Sequence, residues 1–189
     1  MKKICVVICA IALVGLGFFL GSKDIFNHED LNFEGETDQS IQALSFGVSE
    51  IENTNLETDK LTVFLNLHHE LLTVHQTLLD RHETIGMLRE EIQVTRQNLR
   101  ELSVRPNRED GVALWHYYND LLDLKASYEE THGLAYQRLL DLKDSYSVEN
   151  IDLIIQTFQE VLTVLNERVD ILDQGIVILN QSIAIYQKY

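Results

Sequence analysis

Six apolar residues, Phe64, Leu71, Leu78, Ile85, Ile92 and Leu99, recur at strict intervals of seven. Every seventh residue returns to nearly the same side of an α-helix, so this series demands a long helix with one continuous apolar face. A companion series, Leu67, Val74, Arg81, Leu88, Thr95 and Leu102, supplies the other half of a heptad seam. In the first half of the segment Leu65, Leu72 and Leu79 add a further apolar row, which becomes polar by Gln93 and Arg100. A stripe that wide exceeds a two-stranded seam, so the first half of this helix calls for two partners.

The limits of the helix are written in its flanks. Thr54-x-x-Glu57 has the form of a capping box, and Pro106 disfavours helical geometry at Arg105. Asn107-x-x-Asp110 opens the next helix, which carries Leu114, Leu121, Tyr128, Ala135 and Leu142 at heptad spacing. Within it the octapeptide Leu121 to Tyr128 (LLDLKASY) is echoed by Leu139 to Tyr146 (LLDLKDSY), a spacing of 18 residues or about five turns. Ser147, followed by Glu149 and Asp152, starts a third helix whose apolar positions are Ile151, Ile154, Phe158, Val161, Leu165, Leu172, Ile176, Leu179, Ile183 and Tyr186.

One Pro and nine Gly in 189 residues leave few sharp turns, and the connections are short, which joins antiparallel neighbours. The expected fold is all-α, an elongated antiparallel three-helix bundle of coiled-coil character, with long helices over about 55–104, 108–145 and 148–187. A short helix over 37–52, capped by Thr37 and striped by Ile41, Leu44, Val48 and Ile51, adds a fourth element. The extracytoplasmic bundle thus occupies 37–189.

The N-terminus is of another kind. Met1-Lys2-Lys3 precedes an uninterrupted apolar run from Ile4 to Leu20. From Ile4 to Ser22 a helix reaches about 28 Å, close to the roughly 30 Å hydrocarbon thickness of a bilayer. Lysines before the run and acids after it, from Asp24 onward, put the N-terminus in the cytoplasm and the remainder outside. Residues 1–22 therefore read as a signal-anchor or transmembrane helix, with membrane contact through 4–22. Residues 23–36, polar, acidic and aperiodic, read as a flexible tether. A signal peptide cleaved near Gly15-Leu16-Gly17, giving a secreted protein, is the alternative.

Charge and cysteine usage narrow the function. The chain carries a formal −15; setting aside Lys2 and Lys3 leaves about −17 on residues 23–189, a surface that repels phosphates and anionic lipid. Nucleic acid is excluded as a partner. Both cysteines, Cys5 and Cys9, lie inside the apolar run, so the exported part forms no internal disulfide and holds no Cys-ligated metal.

Candidate sites are few. His68, His75 and His82 stand one heptad apart beside the seam, with Arg89 and Arg96 continuing the row. Seven residues span about 10 Å along a helix, too far for three histidines to share a metal, whereas half-covered imidazoles suit pH response or an interface. His69 to Thr73 and His82 to Gly86 begin like the HExxH motif of zinc proteases but have Thr73 and Gly86 where the second ligand belongs. Glu129-x-x-His132 is a single copy of a half-motif that di-iron bundles use twice. Trp115, Tyr117 and Tyr118 are candidate interaction aromatics, since Trp and Tyr anchor binding surfaces as well as helix cores.

No nucleophile motif, phosphate loop or cofactor signature is present, so the sequence implies no enzyme and no cofactor. The function class it favours is a membrane-anchored extracytoplasmic interaction or scaffold protein, binding a protein partner or itself through long helices. A small-ligand or pH-sensing helical module acting through a partner is the alternative.

Overall fold

The computed structural model describes residues 58–143 and 148–189. They form α1 (Thr58–Glu101), α2 (Arg108–Lys143), a 3-10 turn (Val148–Asn150) and α3 (Ile151–Tyr186), with no strand among the described residues. At 1.5 Å per residue the 44 residues of α1 extend about 66 Å and the 36 of α2 and of α3 about 54 Å. The expected anchor (1–22), tether (23–36), short helix (37–52), Thr54 capping box and Ser147 cap lie outside the described residues. So does the end of the second octapeptide. No helix among the described residues is long and apolar enough to cross a membrane.

Cross-helix pairs fix the direction of each helix. Lys60 meets Asp152 at 2.8 Å and Arg81 meets Asp173, each pair 92 residues apart, so α1 and α3 run parallel in constant register. Against α2 the numbers run oppositely: Arg138 pairs with Glu160, and Asp110 pairs with Lys188. The arrangement is up, down, up, with α2 antiparallel to both neighbours.

The heptads decide what is buried. Phe64, Leu71, Leu78, Ile85, Ile92 and Leu99 are all buried, as are Leu114, Leu121, Tyr128, Ala135 and Leu142 on α2. Phe64 and Phe158 stack across α1 and α3 at 5.6 Å, amid a cluster with Leu71, Val74, Ile154, Val161 and Leu162. Each such side chain, fully withdrawn from water, contributes about 1.5–3 kcal/mol before the cost of chain ordering.

The third helix is buried over a wider arc than its neighbours. Phe158, Leu172, Leu179 and Tyr186 form one row and Ile154 and Val161 a second, while Leu162 and Ile183 flank one side and Ile171 and Ile185 the other. A helix covered on so many positions sits between two others. α3 accordingly packs along both α1 and α2, whereas the α1 and α2 backbones approach each other far less closely among the described residues.

The helix limits differ from expectation in two places. α1 ends at Glu101 rather than near Val104, because Ser103 adopts a left-handed conformation, φ 55°. The amide of Val104 donates to the Leu99 carbonyl at 2.9 Å and that of Ser103 to Arg100 at 3.0 Å, closing the last turn as a Schellman motif. α3 begins at Ile151 after the 3-10 turn, not at 148. The α2 start is as read: the Asp110 amide donates to Asn107 Oδ1 at 2.9 Å. Within the added apolar row of α1, Leu65 and Leu79 are half-buried and Leu72 is exposed, and Leu102 of the companion series is 70 % exposed beyond the helix end.

Candidate functional site

One series on α3 runs Ile154, Val161, Arg168, Gly175, Ser182. The backbone places Arg168 where a core residue belongs, and it is 2 % exposed. Its guanidinium carbon lies 4.1 Å from the centre of the Tyr128 ring on α2, a cation over the negative face of an aromatic. The Tyr128 hydroxyl is 2.6 Å from His82 Nε2 on α1, and the two rings meet edge to face at 5.4 Å. Two proton placements satisfy that bond: the phenol donates to a bare Nε2, or Nε2–H donates to the phenol oxygen. Each helix thus contributes one member to a buried polar layer. Thr131 closes it on the α2 side, donating its hydroxyl to the Tyr128 carbonyl at 2.9 Å.

Burial dominates the electrostatics of this layer. It pushes the Tyr128 phenol up, against the opposing pull of the Arg168 charge, so Tyr128 keeps its proton through the physiological range. Burial also pushes the Arg168 guanidinium down, with Tyr128 opposing. Arg168 Nε and Nη2 are buried and find no hydrogen-bond acceptor among the described residues. Two buried N–H groups without acceptors are a standing energetic cost of this layer.

The three candidate histidines are not gathered into one site. His68 stacks with Phe64 at 6.4 Å, His75 is half-buried further along, and only His82 joins the polar layer. Among the described residues no group of three His, Cys, Asp or Glu is placed to hold a metal ion.

A second region lies at the bundle end where α1 closes, α2 opens and α3 closes. Asp110, 9 % exposed, takes Lys188 Nζ at 2.7 Å on one oxygen, while the other accepts the Tyr189 hydroxyl at 2.7 Å and Asn107 Nδ2 at 3.2 Å. The Asn107 amide in turn donates to the Tyr189 oxygen at 3.0 Å. The Lys188 bond, then Tyr189, hold the Asp110 carboxyl below its ordinary value, and Asp110 holds the Lys188 ammonium above its own. This clamp ties the start of α2 to the residues that follow α3.

Exposed apolar side chains on the half of the bundle that carries the clamp include Met87 and Val94 of α1, Leu102 just beyond it, Val112 and Trp115 of α2, and Tyr189. Trp115 is 45 % exposed with its ring edge-on to His116 at 5.0 Å, while Tyr117 and Tyr118 are half-buried beside it. Of the three aromatics singled out from sequence, Trp115 is therefore the one presented to solvent.

Sequence reasoning missed Arg168 and the clamp. The signal for Arg168 was a gap: the apolar positions of α3 pass from Leu165 to Leu172, and the series through Val161 turns to Arg, Gly and Ser. The clamp had no local signal, because its members are 78 and 79 residues apart. No family model, no curated protein and no solved structure matches this chain.

Proposed function

We propose that this protein is a membrane-anchored, extracytoplasmic helical interaction protein that binds a protein partner at the clamped end of its bundle. The observation that carries the reading is the exposure of Leu102, Val112 and Trp115 on either side of the short connection between α1 and α2. Scattered apolar residues are ordinary, but a half-exposed Trp among them has the make-up of a binding anchor. The apolar run 4–22 supplies the anchor to the membrane, and the charge bias across it supports export of the rest.

A second reading is favoured by a separate observation. The buried layer of His82, Tyr128 and Arg168 supports a sensing module, in which an acidic ligand or a proton reaching the layer alters the packing of three helices at once.

A photo-crosslinking amino acid at position 115 of the full-length chain, irradiated in native membranes, tests the first reading. One discrete adduct, lost when Leu102→Asp and Val112→Asp are added, is the expected result. Absence of any adduct, or adducts indifferent to those charges, would count against a binding end at Trp115.

A further inference from the structure

Most cations of the bundle are neutralised within it. Lys60, Arg81, Lys125, Arg138 and Lys188 meet Asp152, Asp173, Glu129, Glu160 and Asp110 in turn. Arg105 and Arg108 stand apart: both are exposed, and neither makes an ion pair or a side-chain hydrogen bond among the described residues. Asp110, two residues beyond Arg108, is engaged by Lys188, Tyr189 and Asn107, and the exposed Glu101 and Glu109 pair with neither arginine. In a chain of formal charge −15, two unneutralised cations three residues apart reverse the sign of the surface locally.

The same stretch carries exposed apolar side chains. On α2, Arg108, Val112 and Trp115 follow at intervals of four and three, which sets them on one face within an arc of about 60°. All three are exposed, and the buried Leu114 and Leu121 lie roughly opposite. The connection that runs into this face bears Leu102 and Arg105. Arg105 is three residues from Arg108, a reach of at most about 11 Å.

Cations and apolar groups side by side define what covers them. Apolar surface is stabilised by losing water to another apolar group, and a guanidinium by a carboxylate that accepts its forked N–H groups. An anionic bilayer offers both, but its plane brings the same negative charge against Glu101 and Glu109. A single peptide segment is narrow enough to meet the arginines and miss the acids.

We infer that the partner docks here through a segment that is both acidic and apolar, its carboxylates on Arg105 and Arg108 and its apolar side chains on Leu102, Val112 and Trp115. This inference rests on the binding end proposed above and names the chemistry of what binds there.

Trp115 is the one tryptophan of the chain, so its emission reports on this surface directly. The full chain in detergent is titrated with a synthetic peptide of repeated Leu-Glu-Glu-Leu, and separately with its Lys-for-Glu and Gln-for-Glu counterparts. The expected result is a saturable blue shift with the Glu peptide alone. Arg105→Gln with Arg108→Gln, or salt raised from about 0.1 to 1 M, should weaken that binding roughly fivefold. Leu153→Glu with Val177→Glu makes the same change in net charge at exposed α3 positions and should leave it unaltered. No shift, an equal shift with either counterpart, indifference to the arginine variants, or the same shift from micelles doped with phosphatidylglycerol would each overturn the inference. A crosslinked adduct at position 115 beside any of these results would keep the binding end and reject an acidic partner. Absence of the adduct would remove the binding end, and this inference with it.

Discussion

At the scale of single residues, Arg168 stands against the energetics of the bundle. Withdrawing a guanidinium from water and leaving two of its N–H groups without acceptors costs several kcal/mol, and a desolvated cation over an aromatic ring returns only about 2 kcal/mol. The balance is unfavourable. Arg168→Met, of similar reach and without charge, should raise the thermal unfolding midpoint, with a gain of roughly 1–4 kcal/mol. A lower midpoint would show that the Tyr128 contact outweighs desolvation. Residues kept against stability are the usual mark of function, so the same variant belongs in any binding assay. Asp110 gives the opposite case. Its folded pKa is depressed below 3.8, so its contribution is present above that value and fades as pH falls through the folded one. Asp110→Asn should therefore unfold at lower urea than the parent at pH 7, and the two midpoints should converge as pH falls through the lowered folded value. A constant gap across that range would assign the effect to packing rather than charge.

At the scale of elements, α1 was legible because all six positions of its leading heptad series are apolar, and every one proved buried. Its C-terminal limit was less so, since Pro106 marks a boundary while the left-handed turn at Ser103 is a choice of backbone. The α2 cap at Asn107 was legible because its partner is three residues away. The apolar rows called for two partners on the first half of α1, whereas among the described residues α3 is the helix that packs along both others. Its placement between the other two follows from an arc of burial that includes Leu162, Ile171, Ile183 and Ile185, apparent only when burial is known position by position. Among the site residues, His82 was singled out for its half-covered position, but its partner Tyr128 lies 46 residues away on another helix and no local pattern links them. Element packing sets a direct expectation. Leu78, 0 % exposed in the middle of α1, should lose several kcal/mol on substitution by Asp as an unpaired buried charge, whereas Glu90→Ala on the solvent side should leave the urea midpoint within about 0.5 kcal/mol. Similar losses from both would mean that the heptad series does not define the core.

At the scale of the whole molecule, the helical class and the up, down, up order were readable from heptads and short connections, because both are local properties repeated many times. The tertiary placements used in the proposed function were not: an arginine inside, a tryptophan outside, and a clamp that joins Asp110 to Lys188 and Tyr189. The proposed role assigns the chain two ends with different work, an apolar N-terminal run in the membrane and a bundle presenting Trp115 beyond it. Protease treatment of intact cells making the full chain with a different tag at each terminus tests that claim most directly. The account predicts removal of the C-terminal tag from a chain that still needs detergent for extraction, with the N-terminal tag retained and protected. Protection of the C-terminal tag, or release of the unproteolysed chain into solution without detergent, would contradict it.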